Sequence, residues 1–209
     1  MRHPDPETLL DHAGGQLDLP MRVLLEAHLD LCAACRAEVA AMAAPGGQLL
    51  ARAATGETPP AALWSRLEAQ IGTAQIADRL PAEVPLPLAA RRELPVGVRP
   101  RWWRLLLGGA RMALVANDPA TGTRLAIGRM PGGLVFPRHE HLGFEHAVVL
   151  SGGYDDERGE FLAGDFAVYE PGSEHGPHTL DGDPCWILFR LDGPVRFRGW
   201  RGALQRLFV

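Results

Sequence analysis

Three residues near the N-terminus carry side chains that bind metals: His28, Cys32 and Cys35, in the pattern H-x3-C-x2-C. Imidazole nitrogen and thiolate sulfur are the usual ligands of structural zinc. Residues 21–44 are rich in Leu, Ala, Glu and Arg, which predicts one helix. Spacings of four and three residues place the three side chains on one face of that helix. A tetrahedral zinc site therefore needs a fourth ligand from elsewhere in the chain.

A second set of metal-binding residue types lies in the C-terminal half: His139, His141, Glu145 and His175. Alternate residues of a strand share a face, so His139 and His141 are expected to point the same way. Three imidazoles and one carboxylate suit zinc, iron, manganese or nickel. The sequence therefore predicts a second metal site that differs from the first in its ligands.

The two sets lie in parts of the chain whose sequence patterns predict different secondary structure. Residues 4–44 show apolar residues at helical spacing, with Gly14-Gly15 as a helix stop and Gly46-Gly47 as a break, and a further helix is expected after Pro59-Pro60. Prolines recur between residues 76 and 100, which predicts an extended, semi-rigid linker. Short strands separated by turn residues follow; they are predicted at 111–118, 123–130, 145–152, 164–171 and 185–191.

These patterns predict a multi-domain α and β protein. A small zinc-stabilised helical domain is expected over 1–80, a Pro-rich linker over 81–99 and an antiparallel sandwich or barrel over 100–209. Structural zinc matters for such a helical domain, because so short a segment has little core of its own.

Composition excludes several classes of protein. The 209 residues carry a net charge of −4, which argues against direct DNA binding. The N-terminus lacks the apolar core of a signal peptide, and no stretch approaches the roughly 18 apolar residues of a membrane span. The three cysteines do not make a disulfide framework, and Cys185 stands in an apolar strand as a buried thiol. A cytoplasmic protein is expected, since the reducing cytoplasm keeps thiolates available to metal.

The second ligand set falls within a known pattern. The segment GGLVFPRHEHLGFEHAVVLSGG resembles the first cupin motif, G-x5-H-x-H-x3-E-x6-G, and GDFAVYEPGSEH resembles the second, G-x5-P-x-G-x2-H. The second motif departs from the family at Glu170, where proline is usual, and Thr179 replaces a common asparagine. The resemblance implies a cupin, a double-stranded antiparallel β-barrel or jelly roll, with a metal on His139, His141, Glu145 and His175.

The first ligand set resembles a second family. EAHLDLCAACRAEV is similar to the signature of zinc-binding anti-sigma domains, and the whole chain resembles the ChrR-type anti-sigma factors, which join such a domain to a C-terminal cupin. The family pattern implies His3 as the fourth zinc ligand, with His12 as a rival. It also implies a one-to-one heterodimer with an extracytoplasmic-function (ECF) sigma factor. Release would follow a stress such as singlet oxygen or organic peroxide, sensed as a small-molecule or oxidant signal at the cupin.

Two other interpretations stay open. The cupin metal, whether zinc, iron, manganese or nickel, could serve a dioxygenase or isomerase, with Tyr169, Glu170 and Glu174 as candidate catalytic groups. The N-terminal zinc module has no role in that interpretation, and the anti-sigma resemblance implies no turnover. A metallated module that binds a small acidic or carbonyl ligand is the third interpretation. Apolar candidates for a surface that meets a sigma factor, not yet separable from core residues, are Leu9, Leu10, Leu24, Leu63, Trp64 and Leu67.

Overall fold

Helices make up the N-terminal part of the protein. A computed structural model describes residues 1–53, 56, 58–73, 80–95, 100, 102–104 and 108–197. The helices there are α1 (Pro6–Ala13), α2 (Leu19–Leu31), α3 (Ala33–Arg52), α4 (Ala62–Thr73) and α5 (Leu88–Glu93). Asp5 and Asp18 begin α1 and α2, each accepting a backbone N–H of the first turn, at 2.8 Å and 2.7 Å. Among these described helices, none is both long and apolar enough to cross a membrane.

The prediction of a single helix over 21–44 is wrong, because the helix breaks at Cys32. The backbone of Cys32 is extended, with φ −118° and ψ 102°, and its sulfur lies 3.5 Å from the backbone N of Cys35 as the N-cap of α3. Helix α3 then runs past the predicted break at Gly46-Gly47, with Pro45 inside it, because the helix formers Leu49 and Leu50 follow the glycines. His28 and Cys35 therefore lie on different helices.

The C-terminal part consists of antiparallel strands. Those described are β1 (Trp102–Arg104), β2 (Arg111–Asp118), β3 (Thr123–Met130), β4 (His139–His141), β5 (Glu145–Ser151), β6 (Gly153–Asp156), β7 (Gly159–Leu162), β8 (Phe166–Tyr169), β9 (Glu174–His175), β10 (His178–Thr179), β11 (Cys185–Leu191) and β12 (Val195–Phe197). One sheet has the order β1-β2-β3-β11-β5-β8, and two smaller sheets have the orders β10-β6-β7 and β12-β4-β9. Strands β2, β3 and β11 coincide with the predicted segments, and β5 and β8 lie within theirs.

The six-stranded sheet is covered on both faces. One face and the small sheet β10-β6-β7 enclose an aromatic core that includes Tyr154, Phe161 and Phe189. The opposite face, with Val148 and Leu188, packs against helix α2. Strands buried on both faces read as continuous apolar runs, as in CWILF of β11. The observed architecture is an antiparallel β-sandwich with helices packed on its outer face.

Helix α2 shares its core with the sandwich. Val23, Leu24 and Leu25 are fully buried in one cluster with residues of the six-stranded sheet. Burial of side chains of this size stabilises the fold by about 1.5–3 kcal/mol each. At the helix N-terminus the Asp18 carboxylate accepts hydrogen bonds from Arg190 of β11, at 2.7 Å, and from the hydroxyl of Thr123, at 3.0 Å. Helices and sandwich are joined by apolar burial and by an ion pair.

Residues 80–95 differ from the expected extended linker. They contain α5 and bury five apolar side chains against the same cluster: Leu80, Val84, Leu86, Ala90 and Leu94. The physical reason is that apolar residues recur between the prolines, so one side of the segment can pack on α2. Residues 96–99 of the predicted linker lie outside the described residues, and the division of the chain into domains stays a prediction.

Candidate metal centres

The first candidate centre, called here the N-terminal cluster, consists of His3, His28, Cys32 and Cys35. His28 lies in the last turn of α2, Cys32 at the helix junction, Cys35 in the first turn of α3, and His3 just before α1. One potential ligand atom from each lies within 4.8 Å of the other three. His3 Nδ1 is 3.4 Å from Cys32 Sγ and 3.3 Å from Cys35 Sγ. Tetrahedral zinc with ordinary bond lengths would set these nitrogen–sulfur distances at about 3.6 Å, so the geometry fits.

The chemistry of the N-terminal cluster also fits a metal. The carbonyl oxygen of Gly164 can only accept, so His28 Nδ1–H donates to it, at 2.8 Å. His28 Nε2 is then unprotonated, and its lone pair is buried with no hydrogen-bond partner among the described residues. Burial, together with neighbouring Cys32, raises the pKa of Cys35 to about 12, so the site favours a neutral thiol until a cation is present. An ion held by these four side chains would satisfy the orphaned nitrogen and both sulfurs.

His12, the rival fourth ligand, lies apart from the N-terminal cluster. Its Nε2 pairs with the carboxylate of Glu26 at 3.3 Å. The structure therefore brings His3, and not His12, to His28, Cys32 and Cys35.

The second candidate centre, called here the histidine cluster, consists of His139, His141 and His175. Strand pairing places His139 of β4 opposite His175 of β9, and one ligand nitrogen from each of the three rings lies within 4.8 Å of the other two. Glu145, at the start of β5, has a carboxylate oxygen 3.6 Å from His141 Nδ1, so it borders the three rings. The three predicted histidines thus meet, and Glu145 lies outside their group, next to His141.

Contacts on the far side of two of the three rings, His139 and His175, turn their Nε2 atoms toward each other. His139 Nδ1–H donates to the carbonyl oxygen of Pro137, and His175 Nδ1–H to the carboxylate of Asp156, both at 2.9 Å. The two Nε2 atoms then face each other at 3.1 Å, so that either a proton shared between them or a metal ion bound by both would satisfy the pair. Both ring nitrogens of His141 are buried without a hydrogen-bond partner in the described part of the chain, which again fits a bound ion.

Burial sets the protonation of His139, His141 and Glu145. Burial, with the other rings adding to it, lowers the pKa of His139 to about 4 and that of His141 to about 3, so both are neutral at pH 7. Neutral imidazole is the form that binds metals. Burial raises the pKa of Glu145 to about 8, and a nearby cation would lower it again. The arrangement therefore provides neutral donors and one carboxylate that a cation would stabilise.

Asp156 is a residue that the sequence analysis missed. Its side chain is fully buried, and besides the bond to His175 it accepts a hydrogen bond from the Tyr169 hydroxyl at 2.6 Å. Tyr169 in turn contacts the hydroxyl of Tyr154, at 2.9 Å. Tyr154 and Asp156 alternate on β6, so a Tyr-x-Asp pattern on a strand was the available signal. Asp156 fixes which nitrogen of His175 stays free for a metal.

An apolar cavity of about 100 Å³ adjoins the histidine cluster. His139, Glu145 and His175 form part of its wall, and the rest is mainly apolar, with Met112, Met130, Phe136 and Cys185 among the lining residues. Burial raises the pKa of Cys185 to about 12, so this thiol is neutral at pH 7. A cavity of this size and lining accepts a small uncharged molecule beside the histidines.

Comparison with known proteins covers both halves of the chain. Residues 96–195 match the family model described as the ChrR cupin-like domain. The chain is 35% identical over 214 aligned residues to the anti-sigma-E factor ChrR of Cereibacter sphaeroides, spanning 100% of this chain and 98% of that protein. The structure of the present chain is similar to that of a chain in the crystal structure of Rhodobacter sphaeroides SigE in complex with the anti-sigma ChrR. The TM-score there is 0.65 at 27% identity, covering 91% of this chain and 98% of that chain.

Proposed function

Because this chain belongs to the ChrR family of anti-sigma factors, we propose that it holds one ECF sigma factor in a one-to-one complex and keeps it from RNA polymerase. The observation that carries this proposal is the likeness over the full chain to a relative named as an anti-sigma factor. A structural relative of similar extent was crystallised in complex with SigE. Inhibition requires only that the complex be more stable than the sigma factor's complex with polymerase. The place of action is then the cytoplasm, where polymerase works.

Exposed apolar side chains on α3 and α4 support a docking surface for the sigma factor. Leu49 and Leu50 at the end of α3 are 70% and 78% exposed, and Trp64 of α4 is 64% exposed. Exposed large apolar groups are the raw material of interaction sites, and tryptophan is common among the residues that dominate interfaces. Helices α3 and α4 therefore supply the apolar face of this docking surface.

The structure divides the six apolar candidates named from the sequence. Leu9 and Leu24 are at most 1% exposed and belong to the core. Leu10, Trp64 and Leu67 are exposed, and Leu63 is half-buried. The docking surface thus keeps Leu10 of α1 and the residues of α4, and loses Leu9 and Leu24.

Zinc in the N-terminal cluster would have a structural role. Helix α3 has 20 residues, and Cys35 is the one that is fully buried, with Val39 and Met42 only partly so. Little apolar burial therefore holds α3 to the rest of the protein. Metal bonds through Cys32 and Cys35 would supply the missing attachment, since a structural zinc contributes about 10 kcal/mol or more in small domains.

The cupin would carry the sensor. Its cavity, beside the histidine cluster, suits a small uncharged species such as singlet oxygen or an organic peroxide better than a charged ligand. Zinc or another divalent metal (iron, manganese or nickel) on His139, His141, Glu145 and His175 would supply Lewis acidity or redox chemistry there. Entry of the signal would lower the affinity for the sigma factor by favouring a cupin conformation that binds it less well.

Catalysis by the cupin is the alternative, and the apolar cavity beside the histidine cluster is the observation in its favour. The candidate catalytic groups do not support it. Tyr169 is engaged with Asp156 and Tyr154, and burial raises its pKa. Glu174 pairs with Arg138 at 3.3 Å, and Glu170 is exposed. We therefore propose a regulatory role without turnover.

Co-expression of the full chain with SigE of Rhodobacter sphaeroides, and with ECF sigma factors of the chain's own organism, tests the proposal. We expect a complex whose mass corresponds to one copy of each partner. Trp64→Ala should weaken it by about 2 kcal/mol, or roughly 30-fold, as truncation of an interface tryptophan does. Val135→Ala, at a residue 67% exposed in the loop before β4 of the cupin, is the matched control. No complex with any sigma factor, or equal effects of the two substitutions, would contradict the proposal.

A further inference from the structure

The first residues of the chain bind to a turn of the cupin. The backbone N–H of Arg2 donates to the carboxylate of Asp165 at 2.5 Å, and the carbonyl oxygen of Arg2 accepts from the N–H of Phe166 at 3.0 Å. Both polar groups of the Arg2 backbone are thus held by the cupin. The next residue is His3, so its position in the N-terminal cluster is set by these two hydrogen bonds.

The same turn holds a second member of the N-terminal cluster. His28 Nδ1–H donates to the carbonyl oxygen of Gly164, 136 residues further along the chain. The His28 ring also packs edge-on against Phe166, with 5.8 Å between ring centroids. Two of the four candidate ligands, His3 and His28, are therefore oriented by three consecutive cupin residues.

The turn is well suited to hold them in a fixed position. Gly164 has φ +92°, in the left-handed region that favours glycine, and its N–H donates to the carbonyl oxygen of Val149 at 2.9 Å. Asp165 is buried, and its second carboxylate oxygen accepts the N–H of Leu162 at 2.7 Å. One carboxylate thus shapes the turn with one oxygen and holds Arg2 with the other.

The Arg2 side chain adds a separate contact. Its guanidinium lies 3.6 Å above the ring centroid of Phe161 and donates to the carbonyl oxygen of Arg158 at 2.8 Å. Phe161 lies on β7, which leads directly into the turn. Residues 2 and 3 are therefore attached to the cupin through the backbone and through a side chain that can be changed independently.

We propose that the cupin turn 162–166 forms the outer shell of the N-terminal cluster, with Asp165 as a positioning residue that acts through Arg2 and through the Gly164 carbonyl. This rests on the metal binding proposed above. Outer-shell partners of metal-bound histidines commonly change metal affinity by 10- to 100-fold. The cupin then sets the metal affinity of the domain that holds the sigma factor, and a signal that moves the turn weakens that metal site without entering it.

Cobalt(II) titration of the full chain tests this, because thiolate-to-cobalt charge-transfer absorption reports the N-terminal cluster alone: the histidine cluster contains no thiol. Asp165→Asn places an N–H₂ group against a backbone N–H donor. The cobalt dissociation constant measured from the charge-transfer band should therefore rise about 10-fold or more. Arg2→Ala, which leaves the bonds within the turn intact, should raise it several-fold. Asp183→Asn, at an exposed residue before β11, is the control and should leave it unchanged.

The outcomes separate the two levels of the proposal. Absence of a charge-transfer band in the unchanged protein would mean that the N-terminal cluster binds no metal, and would overturn both. A band whose dissociation constant is the same in Asp165→Asn, Arg2→Ala and the unchanged protein would overturn the role of the turn alone. If Asp165→Asn fails to fold, Arg2→Ala decides the question, since Arg2 lies outside the sandwich.

Discussion

The ion pair between Asp18 and Arg190 allows a quantitative test of how firmly helix α2 is attached to the sandwich. Their side chains are 10% and 12% exposed, and Asp18 also caps α2 through the N–H of Met21. Asp18→Asn keeps a side chain that caps helices equally well and removes the charge that Arg190 needs. Asp18→Ala removes both the cap and the charge.

The expected loss follows from the burial of the pair. Breaking a buried ion pair costs about 3–5 kcal/mol, because the remaining charge is left without its partner. The residual exposure, and Asp192 at 3.9 Å from Arg190, reduce this to about 2–4 kcal/mol for Asp18→Asn. Loss of the cap adds about 1 kcal/mol in Asp18→Ala. In the double variant with Arg190→Met most of the loss should be recovered, since no unpaired charge remains.

Urea unfolding of the metal-loaded chain at pH 7 measures these free energies. Glu93→Gln is the control, because Glu93 pairs with Arg22 on the surface and such pairs contribute about 0–1 kcal/mol. Burial raises the pKa of Asp18, but its hydrogen bonds, chiefly from Arg190, outweigh burial and lower the pKa. The stabilisation is therefore full above the ordinary pKa of about 3.9 and is lost as the pH falls through the folded value. A loss below about 1 kcal/mol in Asp18→Asn would refute the reasoning.

Three further predictions concern the metal centres. Metal analysis of the unchanged chain should give about two ions, and His28→Ala and His141→Ala should each give about one; a single ion in the unchanged chain would remove one of the two sites. Asp156→Asn should weaken metal binding at the histidine cluster about 10- to 100-fold, while the thiolate–cobalt band of the N-terminal cluster persists. Isothermal titration calorimetry measures the change in affinity. Equal affinities in the variant and the unchanged chain would show that Asp156 does not orient His175. Chelation should free α3, so limited proteolysis is expected to cut within 36–52 only after metal removal; cleavage at the same rate before removal would argue against a structural metal.

Candidate ligand residues could be found from the sequence because their types are few and their spacing is fixed. The structure brings seven of the eight indicated residues into two groups, and Glu145 lies outside the second group, 3.6 Å from His141. The helix break at Cys32 was not predictable in the same way. Spacings of three and four residues fit a continuous helix, and they also fit two helices meeting at a cap.

Contacts between distant parts of the chain left no local signal. Asp18 reads as an ordinary N-cap, and its partner Arg190 lies 172 residues away. Residues 80–95 read as a linker because prolines dominate local patterns, while burial against α2 depends on a surface that the segment itself does not contain. Local propensity therefore located five of the described strands, β2, β3, β5, β8 and β11, but packing between distant segments decided how the helices and the sandwich fit together.

The shared core around α2 limits how family members can exchange parts. Val23 and Leu24 have no exposed surface, so their shapes must match the sheet of their own protein. A chimaera of the helices of one family member and the cupin of another would place mismatched side chains in that core, even with every metal ligand kept. Substitutions in α2 should therefore co-vary with substitutions in the sheet as the family diverges. The two halves are expected to have evolved as one inherited unit and not as interchangeable modules.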